Sequence, residues 1–94
     1  MTTLPDRETA QVLALRAVEW LLRDPYRSGR FEASTGMPLL ALKEQLDDDA
    51  TLAAVLEYLL GDESLLLSFV ADMDIEADMP RLSWMRLSGT RDAW

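Results

Sequence analysis

The phrase WLLRDPYRSGRFEAS, Trp20 to Ser34, returns 38 residues later as YLLGDESLLLSFVAD, Tyr58 to Asp72. Glu19, Leu21, Leu22, Asp24, Phe31 and Ala33 recur as Glu57, Leu59, Leu60, Asp62, Phe69 and Ala71. Trp20 becomes Tyr58, and Met37 becomes Ile75. Each copy reads as a long helix, a corner capped by Asp, a second helix with Phe seven residues beyond that Asp, and a short third helix. One such unit cannot bury its own apolar face, but two can bury each other's. Helical chains also carry chance leucine matches, so a plain bundle with two similar Asp corners stays open beside the two-unit reading.

The rest of the pattern is helical as well. No sustained alternation of β-branched residues appears, and no Asn-Gly or Asp-Gly hairpin signal. A first helix is expected from Leu4 to Asp24, with Thr3 and Asp6 as a capping pair and Pro5 in the first turn. Ala10, Leu13, Ala14, Ala17, Val18, Trp20, Leu21 and Leu22 share one broad face at 100° per residue, opposite Glu8, Arg16, Glu19 and Arg23. Asp24-Pro25 reads as N-cap and first residue of a second helix, and Gly36 as its left-handed stop. MPLLALKEQL gives a short third helix. The acids at 47–49 cap a fourth, ended by Gly61, and Asp62 caps a fifth. That fifth helix, ESLLLSFVADM, is apolar except for Ser64, Ser68 and Asp72, so it is expected to be enclosed by neighbours. A last helix runs about Pro80–Ser88 to Gly89. The expectation is one all-α domain over residues 1–94, a compact bundle of five or six short helices, with residues 1–3 and 89–94 as frayed tails.

Composition removes several chemistries. The 94 residues include no cysteine and no histidine. Disulfides, thiolate nucleophiles, Ser–His pairs and Cys/His zinc sites are therefore excluded. A non-enzyme is expected, with no catalytic residues, no cofactor and no metal. No run approaches the ~20 apolar residues of a membrane span, and no secretory signal is visible, so a cytoplasmic protein is expected. Net charge is −8. Residues 44–80 carry eleven acids and no Lys or Arg, while the flanks are +1 and +2. Such a block repels phosphate backbones and attracts a basic protein surface, or it is simply a solvated face.

The stretches LLGDESLLLSF and DPYRSGRF carry a family likeness. The features are Asp24, Pro25, Gly29, Phe31, Leu59, Leu60, Asp62, Glu63, Leu65 and Leu66. On these the chain resembles the small alphaproteobacterial proteins grouped as domain-of-unknown-function family 3572, over most of residues 6–88. The two Asp corners and Gly29-x-Phe31 are the specific part. Met73-Asp74 departs from the likeness, since similar proteins often place a glycine there. The resemblance implies no activity, cofactor or catalytic residue.

Four constellations remain. The acids of DMDIEAD alternate like the opening of a calcium loop, but Ala77 replaces its turn glycine and Ser83 its closing glutamate, so a solvated corner is expected. Arg23, Arg27 and Arg30 around Tyr26 form a candidate anion site, or pair with the acidic block. Met73, Asp74, Asp78, Met79, Trp84 and Met85 form a candidate partner-binding edge, with core packing the competing role for Trp84. Trp94 adds a terminal aromatic. The leading expectation is a protein–protein interaction module, alone or as a homodimer, whose acidic block faces a basic partner. A small-ligand or anion sensor using the arginines is the alternative, and an acidic nucleic-acid mimic is the weaker one.

Overall fold

Six helices fill the computed structural model, which describes residues 3–89: α1 Arg7–Leu22, α2 Pro25–Thr35, α3 Leu39–Glu44, α4 Asp49–Leu60, α5 Glu63–Met73 and α6 Met79–Ser88. No strand occurs among the described residues. Aspartates start four of the helices by accepting backbone N–H groups that the first turn leaves unpaired. Asp6 accepts from Thr9 at 2.8 Å, Asp24 from Tyr26 at 2.9 Å, Asp48 from Thr51 at 3.1 Å and Asp62 from Leu65 at 3.2 Å. The first helix is shorter than expected at both ends. Asp6 takes the cap, which leaves Pro5 outside, where its carbonyl accepts from Arg86 Nε at 2.9 Å. Asp24 is occupied as the cap of α2.

The sequence repeat is also a repeat of structure. α1 and α4 end at Leu22 and Leu60, and α2 and α5 span Pro25–Thr35 and Glu63–Met73. Their C-caps, Gly36 and Asp74, are both left-handed. Every one of these pairs is 38 residues apart. The contacts between units are reciprocal. Trp20 meets Phe69 edge-on, with ring centres 5.4 Å apart, and its counterpart Tyr58 meets Phe31 at 5.0 Å. Gln11 and Asp49, again equivalent positions, touch directly, with Nε2 donating to Oδ1 at 2.8 Å. Reciprocal contacts, and contacts of a residue with its own equivalent, are the mark of a two-fold relation.

The relation breaks at the third helices. α6 is ten residues long and lies across both α4 and α1, whereas α3 has six residues and no comparably broad contact. The core is therefore α1, α4 and α6, closed by Phe31 from α2 and Phe69 from α5. The expected face of α1 is buried from Ala10 to Leu21, with Leu22 half-buried at its border. Ala10, Ala14 and Ala17 are wholly buried and bring the neighbouring backbones close, and buried Ser83 adds a small residue from α6.

The fifth helix corrects the sequence reading. It is not enclosed: only Phe69 and Val70 are buried, and Leu67 is 51% exposed. Its broad neighbour is α4, with Trp20 reaching it from α1, so one face is covered and the other meets solvent. Trp94 lies outside the described residues.

Candidate functional site

Two surface depressions carry the chemistry that the helices leave over. The first is an apolar groove of about 200 Å³ between α1 and the corner joining α5 to α6. Thr9, Val12, Leu13 and Arg16 line one wall, and Ile75 and Met79 the other. Val12 is 45% exposed although it is apolar. One turn on, Leu15 lines a second apolar groove with Val18, Leu22 and Leu46. The corner positions its two apolar residues through Asp74, whose left-handed backbone (φ 56°) reverses the chain. Ile75 N–H then bonds the Val70 carbonyl at 3.2 Å. Asp74, Glu76 and Asp78 flank the apolar pair in sequence and are all exposed, so the corner that forms this wall carries an acidic rim, while Arg16 puts a cation on the opposite wall.

The second is a wider cleft of about 540 Å³ between α2 and the C-terminal end of α4. Arg30, Ser34 and Thr35 face Glu57, Tyr58 and Asp62 across it. The Tyr58 ring is fixed by its edge contact with Phe31. Thr35 is occupied, since its hydroxyl donates to the Phe31 carbonyl and accepts from Met37 N–H.

The residues singled out from sequence divide among several places. Met79 lines the first groove, Met73 is half-buried against the core, and Asp74 and Asp78 are exposed helix-end residues. Trp84 is half-buried and lines a separate cleft with Ala50, Ala53 and Glu57 of α4. Met85 sulfur accepts from Arg81 at 3.5 Å. The three arginines also diverge. Arg23 pairs with Glu19 at 3.5 Å. Arg27 lies 3.8 Å over the Trp20 ring, and its buried Nε stands 3.6 Å from Asp24, an ion pair just too long for a hydrogen bond. Arg30 sits 5.9 Å over Tyr26 and lines the Tyr58 cleft. Each of the three thus has a different intramolecular partner. Among the described residues no group of three or more acids is arranged to hold a metal ion, the DMDIEAD corner included.

Two carboxylates are tuned by their surroundings. The Thr9 backbone N–H, then its hydroxyl, hold the Asp6 carboxyl below its ordinary value; slight burial opposes them and the Arg86 charge assists. Burial pushes Asp49 up, but hydrogen bonds from Gln11 and Arg7, with the Arg7 charge, outweigh it and leave the carboxyl lowered. Both are structural contacts.

Val12 and Leu15 escaped the sequence reading as binding residues. The available signal was their helical angle, which places two apolar side chains among Glu8, Arg16, Glu19 and Arg23. Tyr58 gave no such signal, because its cleft exists only once α2 packs beside α4.

Residues 7–90 match the sequence profile of a family described as "Protein of unknown function (DUF3572)". The chain belongs to the DUF3572 family. The match takes in all six helices of this DUF3572 chain, both grooves on α1 and the Tyr58 cleft. No curated protein and no solved structure matches it. No helix among the described residues is long and apolar enough to cross a membrane.

Proposed function

We propose that this DUF3572 protein is a non-enzymatic interaction module that docks an amphipathic helix with a basic flank. One observation carries the reading: one wall of the apolar groove at Val12, Ile75 and Met79 is a corner with three exposed acids, Asp74, Glu76 and Asp78, which outnumber the single lining cation, Arg16. An apolar helix face seats in such a groove, and basic residues beside that face meet the rim. Apolar burial supplies the affinity, while the charge of the acidic block steers the approach.

The test is a crosslinked pull-down with the full chain, read by mass spectrometry, beside two variants. Val12→Asp spoils the groove, and Glu76→Lys with Asp78→Lys reverses the rim. The expected result is one partner with a basic amphipathic helix, lost from Val12→Asp and weakened in the rim variant and by salt. A partner held equally by all three proteins would sink the proposal.

A further inference from the structure

One half of the molecule reports on the other. In the first unit Glu19 and Asp24 are each matched by an arginine of the same chain, Arg23 at 3.5 Å and Arg27 at 3.6 Å. Arg27 also stacks on Trp20, with its guanidinium carbon 3.8 Å from the ring centre. Advancing 38 residues keeps the acids and the ring, as Glu57, Asp62 and Tyr58, but turns Arg23 into Gly61 and Arg27 into Leu65. Both guanidinium groups are gone. Among the described residues neither Glu57 nor Asp62 has an ion-pair partner. Leu65 packs against the core, while Gly61, in Arg23's place, lines the open cleft of about 540 Å³ beside Glu57, Tyr58 and Asp62.

We propose that the Tyr58 cleft takes the guanidinium of an arginine side chain from a partner protein. Its plane lies against Tyr58, and its N–H groups reach Glu57 and Asp62. A guanidinium suits the place better than an ammonium, because its flat face stacks on a ring while its edge forks to carboxylates. The chain supplies its own example of the stacking at Trp20, where Arg27 lies on the ring with Asp24 at 3.6 Å. Arg30, on the opposite wall, is the cleft's one lining cation. It opposes an incoming charge and limits affinity, but leaves a lining charge of −1 from Arg30, Glu57 and Asp62. The inference shares no residue with the Val12 groove. It rests on the interaction-module reading only for the source of the arginine.

The test titrates the full chain with a capped peptide, Gly-Ser-Arg-Ser-Gly, followed by backbone amide NMR. Lysine and citrulline versions run beside it, citrulline being the neutral isostere of arginine. Expected are shifts centred on residues 57–62 and Ser34, strongest for arginine, weaker for lysine and absent for citrulline. Glu57→Gln with Asp62→Asn is expected to weaken binding at least about tenfold. Asparagine still caps α5, so this variant stays folded. Arg30→Ala is expected to tighten binding several-fold. Equal responses to arginine and citrulline, shifts centred elsewhere, or loss of binding in Arg30→Ala would each overturn the proposal. A silent titration alongside a Val12-dependent partner would remove this site and leave the groove reading standing. The reverse result would remove the groove alone.

Discussion

Trp20 donates its indole N–H to the Asp72 carboxylate at 2.8 Å, across 52 positions of chain. The same indole lies edge-on to Phe69 and carries Arg27 on its face. One side chain thus holds α1, α2 and α5 together. Trp20→Phe keeps an aromatic ring but loses the donor and much of the stacking surface. It is expected to destabilise the fold by about 2 kcal/mol, and Asp72→Ala by about 1 kcal/mol. The double variant should cost less than the two together, by about 1 kcal/mol, because one bond is lost twice. Urea unfolding of the four proteins reads this, and strict additivity would show that the bond contributes nothing.

Asp74 occupies a left-handed backbone with φ 56°, where the equivalent residue of the first unit is Gly36 at φ 73°. An L side chain is strained there and glycine is not. Asp74→Gly is expected to stabilise by about 0.5–1 kcal/mol, and Gly36→Ala to destabilise by a similar amount. A Cβ on Gly36 would meet nothing within 4 Å, so any loss comes from the backbone rather than from a clash. Thermal unfolding resolves both, since 1 kcal/mol moves the midpoint of a domain this size by about 4–8 °C. A melting point lowered by Asp74→Gly would contradict the strain argument.

Asp49 has a lowered carboxyl because Gln11 and Arg7 hold its charged form more strongly than burial opposes it. The folded chain therefore takes up this proton at lower pH than the unfolded chain. The pair's contribution is full above the ordinary aspartate value of about 3.9 and disappears as pH falls through the lower folded value. Asp49→Asn should flatten the acid limb of stability below about pH 4. At neutral pH it should cost no more than about 1 kcal/mol, as exposed pairs do. Unfolding midpoints collected across that range check it, and an unchanged acid limb would rule it out.

The helix ends were the legible part of this chain. Asp24, Asp62 and Gly36 act on backbone atoms within a few residues, so local sequence suffices to place them. The buried face of α1 was legible for the same reason, since periodicity fixes which residues share a side. Enclosure was not. ESLLLSFVADM has apolar residues on nearly every side, yet whether neighbours cover them depends on α4 and α6, and α6 lies elsewhere. The arginines show the same limit. Arg23, Arg27 and Arg30 are close in sequence, but Arg23 caps the end of α1 while the other two lie on α2, and each points to a different partner. The repeat lay between these extremes. The matching letters were visible, while the exchange of aromatic partners that gives them meaning was a tertiary fact.

That exchange bears on how the chain is made. Trp20 waits for Phe69, and Phe31 for Tyr58. The long middle surface of α1 and α4 is then sealed by α6, whose Leu82 and Leu87 are among the last buried residues described. A growing chain that has passed only its first three helices holds aromatic rings with no mates and an uncovered hydrophobic floor. Nascent domains in that condition are vulnerable to aggregation. For this protein the risk persists until the closing helix has emerged and packed across α1 and α4, so stable folding waits on the sixth helix.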